Sequence, residues 1–317
     1  MRAVWLREFG GPEMLRVEET PVPEPGPRQA LIDVTYANIT FVETQVRANA
    51  GPFKVTLPMI MGNGVGGLVT SVGEGADAGV VGRRVVSSTG GSGGYADRVA
   101  VDAAGLYDVP AELDLDAAVA LLADGRTAVM LIHTVGVRKG DRVLVEAAAG
   151  GVGTLLVQLA LTAGATVVAA AGGDRKVALA RDLGADVAVD YLQPDWAERV
   201  RTAVGGVDVV LDGVGGTVAG SAFGLLDQGG RMLSYGLASG TWAGISDDAA
   251  AERAVTMVTS GPTPEELRTY TVDALTEAAA GRLRPVIGQR FPLEQAADAH
   301  AAIQARATVG KTLLEVR

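Results

Sequence analysis

The run Val143 to Ala160, VLVEAAAGGVGTLLVQLA, carries an apolar segment into a glycine cluster and straight on into a second apolar segment. Continued to Gly173 it is nearly all apolar and small, and a membrane span needs about 20 continuous apolar residues. Glu146, Gln158 and the glycines break that continuity, so a span does not fit. Val143, Leu144 and Val145 instead read as a strand buried on both faces of a parallel sheet. The residues from Thr154 onward read as a helix. Strand, glycine turn and helix start make one half of a βαβ unit, and backbone N–H groups at such a helix start can hold an anionic phosphate.

In the dinucleotide fingerprint G-x-G-x-x-G, the middle glycine lets the backbone approach a pyrophosphate and the last lets helix and strand pack closely. Ala148, Gly150 and Gly153 occupy the three positions, so the first glycine is replaced. A plain strand-to-helix connection is the alternative, but a second strand, Thr166 to Ala171, arrives where the βαβ unit requires it. The end of that second strand is where an Asp or Glu takes the 2′-hydroxyl of NAD. Gly172 stands there, and the following residues supply Arg175 and Lys176 as counter-ions for a 2′-phosphate. This favours NADPH over NADH. Two other readings stay open: Arg175 and Lys176 as a solvated first helical turn, and Asp174 swinging inward to take the hydroxyl of NAD.

At 317 residues the chain is long for one core, which predicts two domains. Residues 1–120 hold short strand-like runs such as QALIDVTYA and GRRVVSS between Pro and Gly clusters, and read as a β-rich domain. Residues 121–260 alternate apolar strands with amphipathic helices, predicting a parallel sheet covered on both faces. The strands are placed at RVLVEAA, TVVAAAG, DVAVDY, VDVVLDGV and GRMLSYG, with helices beginning near Thr154, Asp174, Asp195 and Thr217. Residues 261–317 supply a helix, the segment FPLEQAADAHAAIQ and a last strand, KTLLEVR, and are assigned back to the first domain. The net charge of −10 and the lack of a basic run argue against nucleic acid or an anionic membrane surface as partner. No cysteine is present, which excludes disulfides, thiolate zinc sites and cysteine nucleophiles and fits a cytoplasmic protein. The opening MRAVWLREFGGPEML, with charges at Arg2, Arg7 and Glu8, reads as a first strand and not as a signal peptide.

The run AAAGGVG, preceded by GRTAVMLIHTVGVRKGDRVLV and followed by LGADVAVDY and VDVVLDGVGG, resembles the quinone oxidoreductases of the medium-chain dehydrogenase/reductase superfamily. So do the opening, the segment SGGYADRVAV and the close FPLEQAADAHAAIQARATVGKTLLEV. The resemblance spans essentially the whole chain. It implies an α/β protein with a GroES-like β-rich catalytic domain beside a Rossmann doubly wound parallel sheet, NADPH as cofactor and a homodimer. By resemblance Gly150, Gly151, Val152 and Gly153 match the pyrophosphate turn. Gly173 and Lys176 match positions near the 2′-phosphate, and Tyr191 a tyrosine beside the adenosine. Thr127 matches a threonine near the nicotinamide, while Val214, Tyr235 and Gly236 match segments lining the cofactor. Each of these has packing as its alternative.

The zinc-dependent branch of the superfamily uses a cysteine, a Gly-His-Glu element and a further ligand. Here Asn63 stands where the His would be and Gly64 where the Glu would be, and His133 and His300 fall in segments that the resemblance gives to helix packing. No metal is expected. Where these reductases commonly carry an asparagine and then a tyrosine near the nicotinamide, this chain has Thr40 and Gln45, so the substrate side is altered. The expected reaction is hydride transfer to a conjugated acceptor, a small-molecule quinone or enone. Thr40, Gln45 or a backbone N–H would donate a hydrogen bond to the oxygen that gains charge, unless Thr40 is only a turn or packing residue. An enone or enoyl-thioester reductase is the alternative within the class. A non-catalytic NADPH-binding sensor or structural protein is the alternative outside it.

Overall fold

Short runs with alternating burial build the N-terminal strands. The structure, a computed structural model, describes residues 1–51 and 54–317. β1 (Arg2–Leu6), β2 (Leu15–Glu19) and β3 (Gln29–Ile39) lead to helix α1 (Phe41–Arg47). β4 (Met59–Ile60), β5 (Gly64–Val72), β6 (Arg84–Ser88), β7 (Arg98–Asp102) and β8 (Tyr107–Asp108) follow, then α2 (Leu115–Val135). Strand and helix next alternate through β9 (Arg142–Glu146), α3 (Gly151–Thr162), β10 (Thr166–Ala171), α4 (Asp174–Asp182) and β11 (Val187–Asp190). The alternation continues with α5 (Trp196–Val204), β12 (Val207–Asp212), α6 (Gly216–Leu225), β13 (Leu226–Ser234), α7 (Asp247–Glu252) and β14 (Thr256–Met257). The chain closes with α8 (Pro264–Ala279), β15 (Ile287–Pro292), α9 (Ala296–Gln304) and β16 (Lys311–Glu315). Among the described residues no helix is long and apolar enough to cross a membrane.

Two compact units result, Met1–Ala123 with Thr271–Arg317, and Asp124–Tyr270. The sequence-based division after residue 120 falls inside α2, as the structural one does, whereas that after residue 260 precedes α8 and the structural one divides that helix.

The first unit is built on sheets. β2-β1-β4 form a three-stranded sheet, and β15-β16-β3-β5-β6-β8 a larger one in which β7 also pairs with β3. The C-terminal strand β16 lies antiparallel to β3, setting Leu313 against Asn38 and Leu314 against Ala37, so the tail completes the sheet. Its core gathers Val4, Leu6, Ile32, Val34, Val65, Tyr95, Leu293 and Leu314. Burying a side chain of the Val or Leu class stabilises the fold by about 1.5–3 kcal/mol.

The second unit holds one six-stranded sheet, ordered β11-β10-β9-β12-β13-β14, with every pairing parallel. Renumbered within the unit this is 3-2-1-4-5-6, the order of the Rossmann fold, whose ligand crevice lies where the winding reverses, at the carboxyl ends of the first and fourth strands. Those strands are β9 and β12. Leu144, Val168, Val210 and Met232 pack with Trp196 and Val200 of α5 and Ala222 and Phe223 of α6. Ala149 and Ala171 pack instead with Val177 of α4. Apolar clusters with different helices explain why these strands read as near-continuous apolar runs. One expectation is corrected: α3 begins at Gly151 and not near Thr154, because the glycines that read as a turn already carry helical backbone.

Candidate functional site

The fingerprint segment follows directly from β9. Ala148 N–H continues the ladder to Ala170 O (3.1 Å), then Gly150 N–H turns back to Ala147 O (2.8 Å) and Gly150 caps α3. Ala147 adopts a left-handed φ of 48°, so the sharpest bend falls one residue before Ala148, the position aligned with the missing glycine. A Cβ on Gly153 would stand 2.2 Å from Ala147 O and 2.8 Å from Ala148 Cα. Only glycine fits there, and the third fingerprint position therefore performs the close helix–strand packing assigned to it. Thr154, fully buried, donates its hydroxyl to Gly151 O (3.0 Å) and secures the first turn. Helix geometry leaves the N–H groups of Gly151, Val152 and Gly153 without intrahelical acceptors, an array suited to an anion.

The end of β10 forms the adjoining region. Gly172 lies against the Tyr191 ring, with a Cβ there 3.0 Å from Tyr191 Cε2. Gly173 caps α4 at φ +88° and donates its N–H to Asp190 Oδ1 (2.9 Å). Asp174 and Arg175 are exposed and Lys176 is half-buried, all in the first turn of α4. Asp190 was not singled out from the sequence. Its Oδ1 also accepts from Leu192 N–H (2.9 Å), and although burial works against it, the Gly173 and Leu192 N–H groups hold its carboxyl below the usual range. A carboxylate therefore does sit beside Gly173, supplied by β11 and not by β10. Its place one residue before Tyr191 was the available signal.

Asp212, fully buried at the end of β12, organises the third region. Its Oδ1 accepts from Val214 N–H (2.9 Å) and Gly215 N–H (2.7 Å), and its Oδ2 from the Ser234 hydroxyl (2.7 Å). Its main-chain oxygen accepts from Tyr235 N–H (2.8 Å) and Gly236 N–H (3.3 Å). One aspartate thus brings together Val214, Tyr235 and Gly236, predicted sites from two separate segments, and the Tyr235 hydroxyl packs on Gly213. Burial first, then Glu146, Asp212 and Asp124, push the Tyr235 phenol up. Thr127 is half-buried on α2, three residues after Asp124 and on the same side of that helix.

In the first unit, Thr40 caps α1: its N–H and hydroxyl both donate to Glu43 Oε2 (2.6 and 2.9 Å). Glu43 Oε1 accepts from Asn63 N–H (2.9 Å). Burial raises the Glu43 pKa, opposed by these donors. The Thr40 hydroxyl proton is thereby committed to the helix cap, while its oxygen can still accept. Gln45 is half-buried farther along α1. Asn63 Oδ1 accepts from the Ser88 hydroxyl (2.9 Å) and Gly91 N–H (2.7 Å), so the residue at the histidine position ties loops together. Among the described residues no three His, Cys, Asp or Glu side chains group as metal ligands. His300 is fully buried against the Tyr95 hydroxyl (3.1 Å), and His133 lies near the Tyr270 ring.

A Rossmann sheet with a glycine-cradled helix start at its switch point, in a chain that also carries a β-rich unit, defines the class of two-domain dinucleotide-dependent oxidoreductases. Family models agree: residues 26–111 match the alcohol dehydrogenase GroES-like domain and residues 183–314 the zinc-binding dehydrogenase domain. Quinone oxidoreductase of Pongo abelii is 33% identical over 99% of this chain and 97% of its own. The 2-haloacrylate reductase of a Burkholderia species is 32% identical over 98% of each. The crystal structure of Escherichia coli quinone oxidoreductase complexed with NADPH superposes with a TM-score of 0.92 at 27% identity, covering 100% of both chains. The chain belongs to the quinone oxidoreductase family of the medium-chain dehydrogenase/reductase superfamily.

Proposed function

We propose that this protein is an NADPH-dependent reductase of quinones or similar conjugated carbonyl compounds, working without zinc. The observation that carries the reading is the Gly153 cradle: a backbone approach that any side chain would block, at the switch point of a 3-2-1-4-5-6 sheet. Gly150, Gly151, Val152 and Gly153 would hold the pyrophosphate of the dinucleotide. Gly172, Gly173 and Tyr191 would border the adenosine, with Lys176 facing the 2′-phosphate. Thr127, Val214, Tyr235 and Gly236 would line the nicotinamide half. When bound, NADPH supplies the hydride equivalent, and the protein's part is alignment and exclusion of water. Gln45 would be the acceptor-side donor, stabilising the oxygen that gains negative charge, and Thr40 would join it by turning its hydroxyl from Glu43 to the substrate.

Zinc does not suit the donor set. The chain has no cysteine, and Asn63 presents an amide already engaged by Ser88 and Gly91. Titration with NADPH and NADH, followed by nucleotide oxidation with a panel of quinones and enones after treatment with chelator, tests the whole reading. A second reading, reduction of a carbon–carbon double bond next to a carbonyl, draws support from the 2-haloacrylate reductase relative and is separated by product analysis. We further assign the protein to a homodimer of 32.3 kDa chains in the cytoplasm, the latter on the absence of cysteine. Sedimentation of the pure protein tests the assembly.

A further inference from the structure

Glu146 is the last residue of β9 and Asp212 the last of β12, the two strands that flank the switch point. The pairing of these strands sets Val143 beside Val209, Leu144 beside Val210 and Val145 beside Leu211. One step further along the register puts Glu146 beside Asp212. Strand alternation places both on the face of Leu144 and Val210, which packs under α5 and α6. Both side chains are fully buried. Asp212 spends its oxygens on the Val214, Gly215 and Ser234 donors. Among the described residues neither oxygen of Glu146 has a donor of its own; the Val214 N–H, which favours its charged form, donates to Asp212.

Two buried carboxylates side by side cannot both carry charge at ordinary pH. Asp212 meets three donors and Glu146 has none of its own, so the shared proton falls to Glu146. As an acid, Glu146 gains an O–H, and Asp212 is its acceptor. We propose that Glu146 is a positioning residue of the dinucleotide site: as a neutral acid it shares its proton with Asp212 and so keeps Asp212 clamped on the Val214–Gly215 turn and on Ser234. This inference rests on the reading that these turns hold a nicotinamide dinucleotide.

The surroundings agree. Burial, and next the Asp212 charge, push the Glu146 carboxyl up to about 10, against a smaller opposing effect of the Val214 N–H. From β10 the paired neighbour is Ala170, which does not titrate. From beyond β13 comes Tyr235, whose own ionisation is held off by burial and by Glu146; Asp124 of α2 and Tyr191 act on that phenol. Loss of the shared proton would set two charges face to face beneath the turn, and relief requires the strand ends to part or water to enter. The consequence is a nucleotide site that loosens on the alkaline side.

Nucleotide affinity is to be measured from about pH 7.5 to about pH 10.5 for the wild type and for Glu146→Gln, whose amide N–H replaces the donor but cannot ionise. NADH is run beside NADPH, because it lacks the 2′-phosphate and is blind to the charge on Lys176. The wild type is expected to lose roughly tenfold more affinity for both nucleotides across this range than Glu146→Gln. Parallel losses in the two proteins overturn the inference alone. No binding at any pH overturns the cofactor reading and this inference with it. A carboxyl 13C NMR titration of the wild type needs neither variant nor nucleotide. It is expected to show one glutamate still protonated near neutral pH, and its absence would overturn the inference even where the variant fails to fold.

Discussion

Gly153 and Ala147 are six residues apart in sequence, yet the Gly153 Cα faces the Ala147 carbonyl so closely that a Cβ would come within 2.2 Å of its oxygen. The neighbour is backbone and cannot swing aside, so replacement must push α3 away from β9. Gly153→Ala is expected to lower stability by about 1–3 kcal/mol, the usual scale for overpacking, and to weaken NADPH binding by more than its effect on folding explains. Denaturant midpoints and nucleotide titration on the same preparation read the two effects separately.

Lys176 occupies the first turn of α4, behind the Gly172–Gly173 bend. If it answers a 2′-phosphate, Lys176→Ala removes one charge-assisted hydrogen bond, about 1.5–3 kcal/mol, or roughly 10- to 150-fold in NADPH affinity. NADH affinity should move far less. Equal losses for both nucleotides would remove the 2′-phosphate argument and turn attention to Asp190 as a partner for a ribose hydroxyl.

Thr40 combines a structural role, the cap on α1, with a proposed chemical one. Thr40→Ala should cost about 0.5–2 kcal/mol of stability through the lost cap on α1. Thr40→Ser keeps the hydroxyl and should restore both stability and turnover. If turnover by Thr40→Ala, measured well below its unfolding transition, equals that of wild type, Thr40 is a cap and nothing more.

His300 supplies a pH test of the first unit. Burial and the Arg47 charge lower its pKa to about 3, against an ordinary value of about 6.5. Between these values the unfolded chain binds the proton and the folded chain does not. The stabilising contribution is therefore intact above about pH 6.5 and shrinks as pH falls toward 3, by up to about 1.4 kcal/mol per unit. His300→Gln should show a shallower acid loss in denaturant titrations. Identical slopes for the two proteins would contradict it.

The parallel sheet was legible because the segments RVLVE (142–146), TVVAAA (166–171) and VDVVLD (207–212) are mostly apolar, valine-rich and of strand length, spaced by helix-length segments. β14, only Thr256–Met257, and β15, IGQRFP with alternate residues exposed, offered no such run. β13 starts at Leu226 and passes through DQGG, a sequence that reads as turn; its pairing with β12 imposes the strand. The glycines of the cradle and Lys176 carried their chemistry in local spacing and could be found. The Glu146–Asp212 pair could not, and Asp190 offered only its place beside Tyr191, since their meaning comes from strands that meet only in the folded sheet. The role of Thr40 as a cap was written locally, in the Thr-x-x-Glu spacing to Glu43.

The function proposed for this protein requires a dinucleotide seated at the start of α3. Calorimetric titration of the purified protein with NADPH and then NADH tests that most directly. Saturable one-site binding, tighter for NADPH and abolished by Gly153→Val, is the predicted result. Absence of heat with both nucleotides, or binding that Gly153→Val leaves intact in a folded protein, would contradict it.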